Sequence, residues 1–246
     1  MAIDSERIAA LIANLDDSDK PTVRAACDAL TLLAANSPEL CEILNRRLGE
    51  PGYKRYWPVA YILGNLPQPS RAAVGALLES LDHDEPDIRW AISLLLARIG
   101  KNNPELIDSL IRLCGAGSDN QKRMALYCLR DLMLSDAASL QAMLSSLDDR
   151  EPTVRVAAAI CLKARPDIDE AGKRVLLRAY TNDAASRVRH VAAITLASLG
   201  SPAAGFLTEL KKNSEGEDER TKKAALAALE FLEKRRSAPI SGASSR

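Results

Sequence analysis

Apolar residues recur along almost the whole chain at intervals of three and four, the spacing that lays one apolar face along a helix. In the segment PELIDSLIRLCG they fall at Leu106, Ile107, Leu110, Ile111 and Leu113. The strict alternation of a half-buried strand is nowhere above noise. The pattern predicts helices in pairs. First helices are expected over 4–15, 37–48, 70–81, 103–115, 136–147, 167–180 and 202–213. Second helices are expected over 21–35, 53–66, 86–99, 119–134, 152–164, 185–199 and 218–235. Several first helices start on a cap followed by proline, at Ser37-Pro38, Asn103-Pro104 and Ser201-Pro202. There a side-chain oxygen takes an orphan N–H, and proline has none to satisfy. Pro21, Pro86 and Pro152 open second helices, and Gly100 and Gly200 stand near second-helix ends.

One phrase repeats. It reads LDDSDKPTVRAACDAL from Leu15, LDHDEPDIRWAISLL from Leu81 and LDDREPTVRVAAAICL from Leu147, with a weaker copy, YTNDAASRVRHVAAITL, from Tyr180. Its basic residue recurs at Arg24, Arg89, Arg123, Arg155, Arg189 and Lys222, a period of about 33 residues. One copy is missing from this series, and its place falls near Tyr56 in YKRYWPVAYILGNL. The prediction is an all-α repeat domain of about seven helix pairs over 1–236, followed by a disordered tail, SAPISGASSR, at 237–246. The charged stretch KKNSEGEDERTKK suits a terminal pair whose outer face meets water.

Composition fits that picture. Aromatics are 4% of residues, low for a compact globule of this size but natural for thin layers of Ala- and Leu-rich helices. Lys+Arg and Asp+Glu balance at 33 each, so no general attraction to nucleic acid or an anionic membrane is expected. The start, MAIDSERIAALIANL, lacks the apolar core of a secretory signal, and no apolar run approaches a membrane span. The five cysteines, Cys27, Cys41, Cys114, Cys128 and Cys161, form no CxxC pair and sit in apolar helical segments. They read as small buried hydrophobes in a reducing, cytoplasmic setting.

The phrase D-x-x-P-x-V-R-x-A-A-x-A-L resembles the HEAT-repeat family, and is most similar to the bacterial PBS-lyase HEAT-like type. Ankyrin and tetratricopeptide repeats share the period, but their T-P-L-H and W-x-x-L-G-x-x-Y signatures are absent. The resemblance implies a right-handed α-solenoid with second helices lining its concave face. It also implies a structural ladder of Asp–Arg bonds linking adjacent repeats. The positions that match are Asp17 with Arg24, Asp82 with Arg89, Asp149 with Arg155 and Asp183 with Arg189. The fourth repeat carries Arg123 without an Asp at the matching offset.

Candidate chemistry is thin. There are two histidines, His83 and His190, about three repeats apart, and no nucleophile-elbow, P-loop or dinucleotide fingerprint. The iron-binding HEAT-like deoxyhypusine hydroxylases carry His-Glu pairs, and this chain has none. No metal or cofactor is expected. The aromatics point elsewhere, because Tyr53, Tyr56, Trp57, Tyr61, Trp90 and Tyr127 cluster in the second helices of repeats two to four. The position after the motif cation runs Ala25, Trp57, Trp90, Met124, Val156, His190 and Lys223, and is expected to face the groove. A partner-binding floor of Trp57, Tyr61, Trp90, Tyr127, Arg130, Asp131 and His190 follows. The expected function is a non-catalytic scaffold or adaptor that binds a segment of another protein. Two other readings compete. A bilin chromophore lyase subunit is implied by the family label. A HEAT-like DNA glycosylase would use Trp57, Trp90, Arg130 and Asp131, but a duplex binder needs a basic stripe that these mixed charges do not form.

Overall fold

The computed structural model describes residues 5–53, 56–199 and 205–237. All regular structure among them is helical. The helices are α1 (Ser5–Asn14), α2 (Lys20–Ala34), α3 (Pro38–Leu48), α4 (Tyr56–Gly64), α5 (Arg71–Ser80), α6 (Pro86–Gly100) and α7 (Pro104–Ala116). They continue with α8 (Asp119–Asp131), α9 (Ala137–Ser145), α10 (Pro152–Leu162), α11 (Glu170–Asn182), α12 (Ser186–Ser198), α13 (Phe206–Ser214) and α14 (Glu219–Ser237). The Ser201-Pro202 start and most of the proposed 237–246 tail lie outside the described residues. No helix among the described residues is long and apolar enough to cross a membrane.

The chain divides into two compact units, Met1–Leu113 and Cys114–Arg246. In the first unit α2 packs on α4 and α4 on α6, while α3 and α5 form a second row behind them. In the second unit α8, α10, α12 and α14 stand side by side in that order, with α9, α11 and α13 each packed against the helix that follows. A helix flanked on both sides must be apolar nearly all round. Accordingly, α10 buries Val154, Val156, Ala157, Ala158, Ala159, Cys161 and Leu162. Two side chains there bond the preceding second helix across the contact. Cys161 Sγ donates to the Leu126 carbonyl (3.3 Å), and Thr195 Oγ1 donates to the Ala159 carbonyl (2.8 Å). In the first unit, Gly64 marks the closest approach. A Cβ there would lie 2.7 Å from Leu77 Cδ1 and 3.1 Å from Leu95 Cδ2. The matching positions of the other two second helices are Ala97, buried on α6, and Leu32, which is 75% exposed on the outer helix of the row, α2.

Helix starts follow the caps. Ser37 Oγ accepts from the Leu40 N–H, Asn103 Oδ1 from the Leu106 N–H, and Ser118 with Gln121 forms a capping box. Two boundaries depart from expectation. Tyr53, expected to open a helix, lies outside one, directly after the turn at Gly52 (φ 84°). The end of α8 is Asp131, and Met133, 82% exposed, takes a left-handed conformation (φ 53°) just beyond the cap residue Leu132. Glycine normally fills that position because a Cβ is strained there.

The motif arginines make two kinds of contact. Arg89, Arg155 and Arg189 staple their own turns: Arg155 Nη1 donates to the carbonyls of Asp149 and Arg150 (2.8 and 3.1 Å). Arg189 Nη1 does the same to Asp183 and Ala184, and Arg89 Nη1 to His83 and Asp84. In the second unit a cation also reaches the aspartate of the following repeat, rather than the one in its own. Arg155 grips Asp183 through Nε and Nη2 (2.7 and 2.8 Å), and Arg189 Nη2 reaches Asp218 at 3.5 Å. In the fourth repeat the cation is Lys122, which binds Asp149 at 2.8 Å with both side chains 11% exposed. Arg123, the expected member, lies one residue further along and makes no ion pair among the described residues. Arg24 is exposed, and Asp17 instead accepts from the Asp19 N–H (2.8 Å). The equivalent turn bond in the third repeat is made by His83, not Asp82: His83 Nδ1 accepts from the Glu85 N–H (3.0 Å), as Asp149 and Asp183 do from Glu151 and Ala185.

Burial pushes the Asp183 carboxyl up, but hydrogen bonds from Arg155 and the Ala185 N–H outweigh it and hold the group below its ordinary value. A depressed folded-state pKa contributes stability above the unfolded value and loses it as pH falls through the folded one. Arg155→Ala is expected to cost about 3 kcal/mol near neutral pH, since it strands a nearly buried carboxylate. The variant should also flatten the loss of stability between about pH 6 and about pH 3, measured by urea unfolding followed by circular dichroism. An unchanged unfolding midpoint would remove the ladder from the stability argument. Met133→Gly should stabilise by roughly 0.5–1 kcal/mol in the same assay, by releasing the left-handed strain.

Candidate functional site

The seven expected site residues fall into two groups, one in each unit. In the first unit, Trp90 and Leu94 project from one face of α6 at i and i+4, 43% and 56% exposed. On the neighbouring helix α4, Trp57 and Tyr61 hold the same spacing but are partly buried, packed against the core built by Leu15, Leu30, Val59, Ile62 and their neighbours. Trp57 has a specific partner: its ring meets His83 edge to face, with centroids 6.1 Å apart and planes at 80°. His83 is the residue that caps the turn before α6, so Trp57 braces the junction between the second and third pairs. The two tryptophans, paired in the sequence reading, therefore differ. Trp90 presents itself to solvent, while Trp57 is largely structural.

Tyr53 also has structural work. Arg47 lies over its ring (4.8 Å) and pairs with Asp16, and the Tyr53 hydroxyl donates to Asp16 Oδ1 at 3.3 Å. Part of the aromatic cluster thus fills a repeat that departs from the motif.

In the second unit, Tyr127 is half-buried on α8, with the Arg130 guanidinium 5.0 Å from its ring centre. Arg130 Nε binds the neighbouring Asp131 at 2.7 Å. Burial pushes the Tyr127 phenol up, opposed by the positive charges of Arg123, Arg130 and Arg187. His190 is exposed on α12. Met124, expected on this face, is only 4% exposed. The Lys122–Asp149 bond explains the discrepancy. With Lys122 in the motif position, the next residue outward is Arg123. The expectation placed Arg123 only in the ladder and named neither Lys163 nor Arg187. The available signal was the one-residue shift between Lys122 and Arg123.

The four buried thiols are poor nucleophiles. Burial pushes Cys27 and Cys114 up to about 12, and Cys128 and Cys161 are raised further still. Among the described residues no group of three or more His, Cys, Asp or Glu side chains is placed to hold a metal ion. A shallow depression of about 550 Å³ lies between α5 and α7, lined by Val74, Leu78, Leu106 and Arg112. Its edge carries the exposed Arg71–Glu105 ion pair (2.8 Å).

Residues 139–230 match the family model of HEAT repeats. No curated protein matches the sequence. Among solved structures, the E. coli protein YibA is similar over 94% of this chain and 93% of its own, with a TM-score of 0.56 and 16% identity. Kap121p is similar over 92% of this chain (TM-score 0.59, 15% identity), and the chain spans 29% of its length. At such identities the likeness concerns the fold, which is that of an all-α solenoid. Residues 139–230 therefore carry HEAT repeats, and helix pairs recur in the first unit as well.

Proposed function

We propose that the protein is a non-catalytic interaction scaffold that holds a segment of another protein on its second-helix faces. The observation that carries this reading is the pair Trp90 and Leu94. The helix α6 buries Ile88, Ile92, Leu95 and Leu96 in the same turns, yet leaves a tryptophan and a leucine side by side in solvent. Large apolar side chains exposed together, with the half-buried Tyr61 on the adjacent helix, are typical of surfaces that another chain covers. Folds of this class commonly serve as protein-interaction scaffolds.

The variant that tests this must spare Trp57. Trp57→Ala is expected to cost about 3 kcal/mol of stability through lost packing against the core and His83. Trp90→Ala should cost less than about 1 kcal/mol. In acrylamide quenching, Trp90→Phe should leave a shielded emission and Trp57→Phe an accessible one. Proteins captured from native lysate by the wild type should be lost with Trp90→Ala/Leu94→Ala. Identical capture by both would reject this face as the binding site.

A further inference from the structure

The second unit presents a face of different chemistry. On α8, Arg123, Tyr127 and Arg130 stand at i, i+4 and i+7 and so share one stripe. On α10 the same spacing places Val156, Ile160 and Lys163, and α12 contributes Arg187, His190 and Ile194. Lys163, Arg187 and His190 are exposed, as is Lys223 on α14. Ile160 and Ile194 are half-buried between them. The carboxylates on this face are fewer. They are Asp119 at the start of α8, Asp131 bound to Arg130, and on α14 Glu219 bound to Lys222, Glu230 bound to Lys234, and Glu233. Arg123 and Arg187 are in no ion pair among the described residues.

Side chains reach across intervening helices. The Lys163 ammonium, at the end of α10, sits 5.6 Å from the centre of the Phe231 ring on α14. Arg187 on α12 acts on the Tyr127 phenol of α8 across α10. Neighbouring packed helices lie about 8–10 Å apart, so the long Lys163 side chain spans the middle helix to reach Phe231. The result is an apolar floor of Val156, Ile160 and Ile194 framed by cations.

We propose that this face binds an acidic peptide segment in which carboxylates flank apolar side chains. The proposal rests on the reading of second-helix faces as partner sites, and adds the chemistry of the partner. The cations are carried on α8, α10, α12 and α14 at different heights, Lys163 lying two turns beyond Val156, the position level with Arg123. A chain in the polyproline conformation repeats every three residues and advances about 9 Å per turn, so carboxylates three residues apart match the spacing of neighbouring helices. The residues between would settle on the isoleucine floor. A nucleic acid fits less well, because its continuous line of phosphates would cross apolar side chains between the cations.

The probe is a fluorescein-labelled peptide of four Glu-Leu-Pro repeats, titrated with the full chain and followed by anisotropy. Its controls are the matching Lys-Leu-Pro peptide and a thymidine dodecamer. Saturable binding of the Glu peptide that weakens with added salt is expected, with little binding of either control. Arg123→Glu/Arg187→Glu should weaken it at least about tenfold while leaving the circular-dichroism melt unchanged. If that variant unfolds, Lys223→Glu, at an exposed site, supplies the same test with a smaller effect. Absence of binding, equal binding of the Lys peptide or the dodecamer, or indifference to the charge reversals overturns the proposal. Loss of lysate capture in Trp90→Ala/Leu94→Ala alongside a silent Glu peptide would sink this inference alone. A Glu peptide that binds through Arg123 and Arg187 while capture ignores Trp90 would sink only the assignment in the first unit.

Discussion

A motif cation divided between two turns sets the spacing of the structure. Arg155 holds the carbonyls of its own turn with one nitrogen and the Asp183 carboxylate of the next repeat with the others. The first contact fixes where a second helix begins, and the second fixes where its neighbour stands. Alanine-rich faces need such a device. They let helices approach closely, but smooth small side chains offer few interlocking shapes to select one register. A charge-assisted, two-pronged bond selects it geometrically. The Cys161 and Thr195 bonds to neighbouring carbonyls act in the same direction from inside the contact.

Where the motif changes, the face in front of it changes as well. At the junction of the second and third pairs, a histidine replaces the turn aspartate and a tryptophan packs on it. The outward side chains there are aromatic and aliphatic. In the fourth repeat a lysine takes the pairing position and moves Arg123 outward beside Tyr127. The substitutions that maintain the stack therefore also decide which side chains each unit exposes. One exposes Trp90 and Leu94, the other cations beside half-buried isoleucines.

Most of the architecture was legible in the chain. Caps and prolines located the helix starts, because those signals act locally and the structure honours them at Ser37 and Asn103. Contacts between repeats were less legible. Asp82 and His83 are adjacent, and only the path of the turn decides which accepts the Glu85 N–H. Lys122 and Arg123 are both cations, and only the position of Asp149 shows which one pairs. A shift of one residue rotates a side chain by about 100° round a helix, enough to exchange the buried Met124 for Arg123 on the outer face. Trp57 and Trp90 sit at equivalent positions, and their difference depends on a His83 ring that no periodicity describes.

The ion pairs of the second unit are not equal, and their order has a mechanical meaning. Lys122–Asp149 is nearly buried, and Arg155–Asp183 is nearly buried and doubly bonded, whereas Arg189–Asp218 is stretched to 3.5 Å with its aspartate 60% exposed. Tension applied at the α14 end would meet the loosest fastening first. The helix pairs would then peel away one after another, and the sharpest rise in resisting force would come where Arg155 grips Asp183.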